Sequence, residues 1–73
     1  MIKRSHLINK LKGLGYRFSD QSQRVEIFRK RGSTHRIILH KTDWVSEEFA
    51  RSILRQADCD RAEIDKFIRE ARA

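Results

Sequence analysis

Residues 16–40 read YRFSDQSQRVEIFRKRGSTHRIILH, and their side chains alternate between apolar and polar in three short runs. This period of two predicts three strands, at residues 16–18, 25–29 and 35–40. Residues 20–23 are predicted to form a polar turn, and residues 30–33 a hairpin turn with glycine at the strained position. The segment therefore predicts a three-stranded antiparallel meander.

Helices are predicted on both sides of this meander, because apolar residues recur there every three or four positions. Ser5 is the predicted N-cap of the first helix, which ends at Gly15 as its C′ residue. Ser46 is the predicted cap of the second helix, and Asp60 and Glu63 form a capping box for the third. The apolar stripes comprise Leu7, Ile8, Leu11 and Leu14, then Phe49, Ile53, Leu54 and Ala57, then Ile64, Phe67, Ile68 and Ala71. The predicted order is α-β-β-β-α-α, an α+β fold with helices packed on the sheet.

The 73 residues are expected to form one domain, residues 1–73, with a small core and modest stability. Because the core is small, a homodimer contact or another partner would add buried surface to it. Trp44 is expected to seal the junction between sheet and helices rather than to bind bases. Phe28 has two interpretations: burial under a helix, or stacking on an unpaired base.

The cysteine count and hydropathy narrow the class of protein. Cys59 is the only cysteine, so the sequence predicts no internal disulfide, no metal site and no cofactor. No apolar stretch approaches the roughly 20 residues that span a membrane, and the start lacks the apolar region of a signal peptide. The sequence therefore predicts a cytoplasmic protein without membrane attachment.

Charge is divided unevenly along the chain. The first 41 residues contain 11 Lys and Arg against two acids (11 − 2 = +9), and the remaining 32 contain six against eight (6 − 8 = −2), which together give +7. A block of like charge concentrates electrostatic potential on one part of the surface. The bias predicts nucleic acid as the partner, and the alternative is a solvated surface without a ligand.

The basic run at residues 29–31 is the strongest binding signal in the sequence. It lies beside the predicted hairpin turn, where cations can reach phosphates, although it could also be a solvated hairpin tip. The predicted nucleic-acid-binding residues are Lys3, Lys10, Lys12, Arg29, Lys30, Arg31, Arg36, His40 and Lys41.

Four segments resemble a known family when they are taken in order. They are residues 5–11 (SHLINKL), 14–16 (LGY), 37–41 (IILHK) and 53–64 (ILRQADCDRAEI). Together they are similar to the HicA-type toxins of bacterial toxin–antitoxin systems. The resemblance implies a fold like the double-stranded-RNA-binding domain and a metal-independent mRNA endonuclease activity. It also implies an acidic antitoxin protein as a second partner.

The sequence departs from this family at the catalytic position. Members typically carry Gly-Ser-His near the start of the second strand, and that His performs the cleavage. Aligned without gaps from Gly15, the motif falls on residues 23–25, where Val25 cannot exchange a proton. A related stretch, GSTH at residues 32–35, lies ten residues later. His35 is therefore the candidate catalytic residue, since an imidazole can accept or donate a proton.

Several interpretations remain open at this point. His35 could also be a turn residue that hydrogen-bonds locally, in which case the chain binds RNA without cleaving it. The helices within residues 49–71 could form a DNA-binding helix-turn-helix, although their net-acidic composition disfavours approach to phosphates. The third alternative is a protein-interaction domain without nucleic-acid binding.

Overall fold

The computed structural model describes residues 1–72, which contain three helices and five strands. In chain order the elements are β1 (Ile2–Lys3), α1 (Arg4–Gly13), β2 (Tyr16–Gln21), β3 (Val25–Lys30), β4 (Arg36–His40), β5 (Trp44–Val45), α2 (Glu47–Gln56) and α3 (Arg61–Ala71). The predicted α+β fold is confirmed, with the three-stranded antiparallel sheet in the order β2-β3-β4. The short strands β1 and β5 are additions that the sequence did not predict.

The pairing of β3 with β4 sorts side chains between two faces of the sheet. Phe28 lies opposite Ile37, and both are buried, which confirms the predicted burial of Phe28. Arg29 lies opposite Arg36, and both are exposed on the other face. The sheet therefore has an inner face under the helices and an outer face that no helix within residues 1–72 covers.

Strand β2 is longer than its sequence pattern indicates. The pairing register with β3 shifts between Phe18 and Asp20, so the strand continues to Gln21 through a bulge. The predicted turn at residues 20–23 therefore moves to residues 22–24, where the backbone N–H of Ser22 donates to the Val25 carbonyl at 2.9 Å. A bulge inserts one unpaired residue and breaks strict alternation, which is why polarity alone ended the strand too early.

The strands β1 and β5 form a second, two-stranded antiparallel sheet. Ile2 pairs with Val45 and both are buried, while Lys3 pairs with Trp44 on the opposite face. Trp44 is 44% exposed, so the expectation that it seals the sheet–helix junction was wrong. Because successive strand residues point to opposite faces, the burial of Val45 directs Trp44 to solvent.

The first helix begins one residue before its predicted cap. Its N-cap is Lys3, which makes no side-chain cap, so the prediction of Ser5 as the cap was wrong. β1 runs directly into α1, and the Arg4 backbone N–H donates instead to the Asp43 carbonyl at 2.9 Å. Gly15 has a φ of +99°, as predicted for the residue that ends this helix.

The other two helices begin at their predicted caps. The Ser46 hydroxyl accepts from the Phe49 N–H at 3.0 Å, and the Asp60 carboxylate accepts from the Glu63 N–H at 2.8 Å. The capping box at Asp60 is one-sided, because the Glu63 carboxylate accepts from the Cys59 thiol at 3.2 Å. These caps satisfy N–H groups that the first turn of a helix leaves without partners.

One core joins the inner face of the sheet to all three helices. It includes Leu7 and Leu11 of α1, Leu54 of α2 and Ile68 of α3. Its remaining buried members are Ile2, Tyr16, Phe28, Ile37, Leu39, Val45, Ala50, Ile53, Ala57, Cys59, Ile64 and Ala71. None of the helices within residues 1–72 has the length and hydropathy that a bilayer crossing needs.

Candidate nucleic-acid interface

The β3–β4 hairpin divides the basic run between two faces of the sheet. Arg29 lies on the outer face, whereas Lys30 lies opposite Tyr16 and turns to the inner side. The Lys30 Nζ is 5.9 Å from the centre of the Tyr16 ring, and its stem crosses Gly15, where an added Cβ would lie 3.4 Å from the Lys30 Cε. Adjacent cations of the basic run at residues 29–31 therefore lie on two different surfaces of the protein.

A row of three arginines crosses the outer face of the sheet. Arg17, Arg29 and Arg36 are cross-strand partners, and we call them the arginine row. Arg17 was not among the predicted binding residues, because only the strand register brings it beside the other two. Its guanidinium donates to the carbonyls of Lys12 at 3.0 Å and Tyr16 at 2.8 Å, which fixes it beside the C-terminal end of α1.

A depression of about 400 Å³ lies between the β3–β4 loop and the turn that joins α2 to α3. We call it the hairpin depression, and its lining comprises Lys30, Arg31, Gly32, Ser33, Thr34, His35 and Asp58. The predicted hairpin turn is confirmed, with Gly32 at a φ of +82° and the Ser33 N–H donating to the Lys30 carbonyl at 3.1 Å. His35 lies just before β4 rather than within it, and its backbone N–H donates to the Ser33 hydroxyl at 3.1 Å.

Asp58 enters this depression from a backbone position that favours glycine. Its φ is +63°, in the left-handed region. The Asp58 N–H donates to the Arg55 carbonyl and the Cys59 N–H to the Leu54 carbonyl, which is the Schellman arrangement that ends α2. Asp58 is therefore a carboxylate at a strained site, beside the only histidine of the depression.

Most of the predicted cations gather at the hairpin end of the molecule. Lys12, Arg29, Lys30, Arg31 and Arg36 lie there, and Arg17 joins them. Against these six cations the hairpin depression contributes one acid, Asp58, so the local balance is 6 − 1 = +5. This end can therefore bind several phosphates.

The other predicted binding residues lie elsewhere. His40 and Lys41 are at the far end of β4, and Lys3 is in β1. Lys10 is half-buried, with its Nζ 3.8 Å from a carboxylate oxygen of Glu63, so it is directed to an acid on α3. The structure thus separates Lys3, His40 and Lys41 from the hairpin end, and it directs Lys10 to an acid.

The two histidines at the ends of β4 cannot act on one phosphate. His40 is five positions after His35, which at 3.4 Å per strand residue is about 17 Å. Any acid–base chemistry at the hairpin depression therefore has one imidazole, and its other proton donors must come from lysine, hydroxyl groups or water.

Cys59 lies in the turn next to Asp58 but is not a nucleophile for this site. Burial, followed by the hydrogen bond to Glu63, raises the pKa of the Cys59 thiol to about 11. A thiol with this pKa stays protonated near neutral pH, and the thiolate is the reactive form. Within residues 1–72, no group of three or more His, Cys, Asp or Glu side chains is arranged to hold a metal ion.

A second cluster of cations lies between α2 and α3, where the sequence predicted net-acidic helices. Arg51, Arg55 and Arg61 line a depression of about 390 Å³ with Ile64. Arg51 donates to the Asp65 carboxylate at 2.7 Å. This hydrogen bond, with the nearby charges of Arg51, Arg61 and Arg69, lowers the pKa of Asp65. The cluster is partly neutralised, unlike the arginine row.

Comparisons with known protein families, curated proteins and solved structures give no match for this chain.

Proposed function

We propose that this chain is an RNA-binding protein of the HicA type, which holds RNA at its hairpin end and cleaves it there without a metal ion. The observation that carries the proposal is the hairpin depression, where His35 shares one concavity with Lys30 and Arg31. An imidazole between cations is the combination that phosphodiester cleavage needs. The resemblance to the HicA-type toxins supports the same reaction class, an mRNA endonuclease.

Phosphate binding rests on the two cationic surfaces that meet at the hairpin. The arginine row faces out from the sheet, and Lys30 and Arg31 face the hairpin depression. Arginine offers two parallel donors to a phosphate, and lysine offers a point charge. An RNA strand that passes over the hairpin can therefore contact both surfaces.

The proposed cleavage is transfer of the phosphoryl group to the neighbouring 2′ oxygen. His35 takes the proton of the 2′-hydroxyl as the 2′ oxygen bonds to phosphorus, and Lys30 and Arg31 offset the charge of the pentavalent intermediate. The bond from phosphorus to the 5′ oxygen then breaks, and the leaving oxygen takes a proton from the Lys30 ammonium or from water. The products are a 2′,3′-cyclic phosphate and a 5′-hydroxyl end. Asp58, the one carboxylate of the lining, can accept the second N–H of the protonated imidazole and orient the ring.

The binding part of the proposal is tested by a charge-matched pair of double variants. Lys30→Ala/Arg31→Ala should weaken the binding of single-stranded RNA about tenfold or more at low salt, since each lost phosphate contact is worth on the order of 1 kcal/mol. The slope of log K against log salt should fall by about 0.7 per removed contact. Affinity is measured by fluorescence anisotropy over a series of salt concentrations.

Arg55→Ala/Arg61→Ala is the control, because it removes the same charge from the cluster between α2 and α3. Equal losses in the two double variants would mean that net charge, not the hairpin, governs binding. A preference of the wild type for duplex DNA over RNA would favour the helix-turn-helix interpretation instead.

The cleavage part is tested on labelled single-stranded RNA in EDTA at pH 7–8. The wild type should cleave, His35→Ala should not, and Asp58→Asn should cleave more slowly. Binding of intact RNA by all three proteins would identify an RNA-binding protein without nuclease activity.

One observation favours a second function, in which an acidic protein covers the outer face of the sheet. Val25, Ile27 and Ile38 form an apolar group there, beyond the arginine row, and Ile38 is 40% exposed. An acidic partner with apolar residues, such as the antitoxin that the resemblance implies, would match this face in charge and polarity. Absence of RNA binding at low salt would favour this function.

A further inference from the structure

Trp44 is the only tryptophan of the chain, and it projects from the short β1–β5 sheet into solvent. With 44% of its surface exposed it contributes little to the core. It borders a depression of about 460 Å³, which is formed by β1, the start of α1 and residues 42–44. We call this the indole depression. It lies at the opposite end of β4 from His35 and shares no lining residue with the hairpin depression.

The backbone around Trp44 is held firmly in place. Trp44 pairs with Lys3 across the short sheet, and its carbonyl accepts from the Thr42 hydroxyl at 3.0 Å. The Arg4 N–H binds the Asp43 carbonyl at 2.9 Å, and the Arg4 guanidinium is ion-paired with Glu26. The indole is therefore presented on a preorganised frame, which lowers the ordering cost of binding a ligand.

Two charged groups beside the indole are suited to a nucleotide. The Lys3 Nζ lies over one face of the Trp44 ring, 5.8 Å from its centre, so a base would stack on the opposite face, and Lys3 has no ion pair within residues 1–72. The Asp43 carboxylate, which also lines the depression, accepts no hydrogen bond from any of the described residues. A cation for a phosphate, an aromatic face for a base and a free acceptor for a base edge thus occur together.

We propose that the indole depression binds one unpaired nucleobase of an RNA strand, stacked on Trp44, with Lys3 on the adjoining phosphate. This inference rests on the proposed RNA binding and adds a second contact to it. Aromatic side chains that stack on bases, combined with a cationic path for the backbone, are the usual means of holding single strands. The outer face of the sheet, with the arginine row, joins the two ends of β4, so a strand can reach both sites.

Asp43 gives the site a preference among bases. A carboxylate accepts from amino groups on base edges, as Glu and Asp do from cytosine N4. Guanine presents two adjacent donors, N1–H and the N2 amino group, to a single carboxylate, whereas the Watson–Crick edge of uracil presents one donor between two acceptors. The base is therefore guanine in preference to uracil.

The single tryptophan reports directly on this site. Intrinsic fluorescence of the full chain, excited at the red edge of indole absorption, is titrated with guanosine 5′-monophosphate and with uridine 5′-monophosphate. We expect saturable quenching, with tighter binding of the guanine nucleotide. Asp43→Asn should remove that difference while keeping the quenching. Absence of saturable quenching by either nucleotide, or equal affinity for both, would overturn the stacking site or its base preference respectively.

Labelled single-stranded RNA then separates this inference from the proposed function. Trp44→Ala should lose roughly 5- to 150-fold in affinity, the range for one stacked base, and Trp44→Phe should lose less. Exposed Trp44 is outside the core, and circular dichroism checks that both variants fold. RNA binding that is unchanged in Trp44→Ala overturns the stacking site and leaves the hairpin site standing. Nucleotide quenching in a protein that binds no RNA overturns the proposed function, and with it RNA as the ligand of the indole depression, and leaves only a site for free nucleotides there.

Discussion

Asp58 occupies a backbone position that costs free energy for any residue except glycine. Its φ of +63° places it in the left-handed region, where a side chain crowds the following carbonyl. Aspartate tolerates this region better than most residues, but glycine is the usual choice at the end of a helix. Strained residues cluster at functional sites, and here the strained residue brings a carboxylate to the depression that contains His35.

Replacing Asp58 by Gly should therefore stabilise the protein and impair its proposed activity. We expect a gain of about 1 kcal/mol in the free energy of unfolding, because the backbone strain is relieved. RNA cleavage should slow, since the carboxylate near His35 is lost. Asp58→Asn is the control, because it keeps a residue that tolerates the left-handed region and removes only the charge. Urea denaturation gives the stability, and a less stable Asp58→Gly protein would contradict the strain argument.

At the scale of elements, two glycines near the end of α1 differ in whether their positions accept a side chain. Gly13 is the last residue of the helix, and an added Cβ would meet nothing within 4 Å. Gly15 ends the helix at a φ of +99°, and its Cβ would meet the Lys30 stem at 3.4 Å. The same substitution should therefore have opposite effects two residues apart.

Gly13→Ala should raise the free energy of unfolding by about 0.5–1 kcal/mol, since alanine is the better helix former. Gly15→Ala should lower it by about 1–2 kcal/mol, because a side chain is forced into the left-handed region. Chemical denaturation of the two variants beside the wild type measures both changes. A loss of stability in both proteins would mean that the end of α1 is constrained by contacts that its geometry does not reveal.

The strands and helices were predictable from the sequence where a local pattern defines them, and not where distant contacts do. Alternation of polarity predicted β3 and β4, and capping residues predicted where α2 and α3 begin. β1 and β5 were not predicted, because a strand of two residues is too short to show a period and because their pairing depends on contacts between distant parts of the chain. Ser5 has the chemistry of a cap, but the chain enters α1 from β1 and places Lys3 at that position.

At the scale of the whole molecule, two ion pairs join the C-terminal helices and their ends. Arg72 donates twice to the Glu47 carboxylate, at 2.9 and 3.0 Å, and Arg51 donates to Asp65 at 2.7 Å. The hydrogen bond from Arg72 lowers the pKa of Glu47, and the hydrogen bond from Arg51 lowers that of Asp65. Both carboxyls thus favour the folded state when they are ionised.

Stability should consequently fall in acid. A carboxyl whose pKa is lower in the folded state contributes stability above its unfolded pKa of about 4, and this is lost as pH falls through the folded pKa. Glu47→Gln/Asp65→Asn should be less stable than the wild type at pH 7, and the difference should disappear at about pH 2. The control is Glu48→Gln/Glu70→Gln, whose exposed carboxylates form no ion pair within residues 1–72. Urea denaturation at both pH values measures the difference, and a constant gap would show that these ion pairs are not the acid-sensitive contacts.

The candidate site was only partly predictable at this scale. The charge count indicated a polyanion partner, and the Gly-Ser-Thr-His stretch drew attention to His35, a role that stays a prediction. The arginine row was missed because Arg17 joins Arg29 and Arg36 only through strand register. Asp58 was missed because it reaches the hairpin through the packing of the α2–α3 turn, and no local pattern records that proximity.

The pairing of Ile2 with Val45 also bears on the order of folding. The hairpins of the β2-β3-β4 meander close short loops, whereas the β1–β5 sheet joins residues 2 and 45 around α1 and the whole meander. Closing a longer loop costs more chain entropy, and contacts distant in sequence form more slowly. The meander can therefore assemble first, while the burial of Ile2, and with it the frame that carries Trp44, belongs to the last steps of folding.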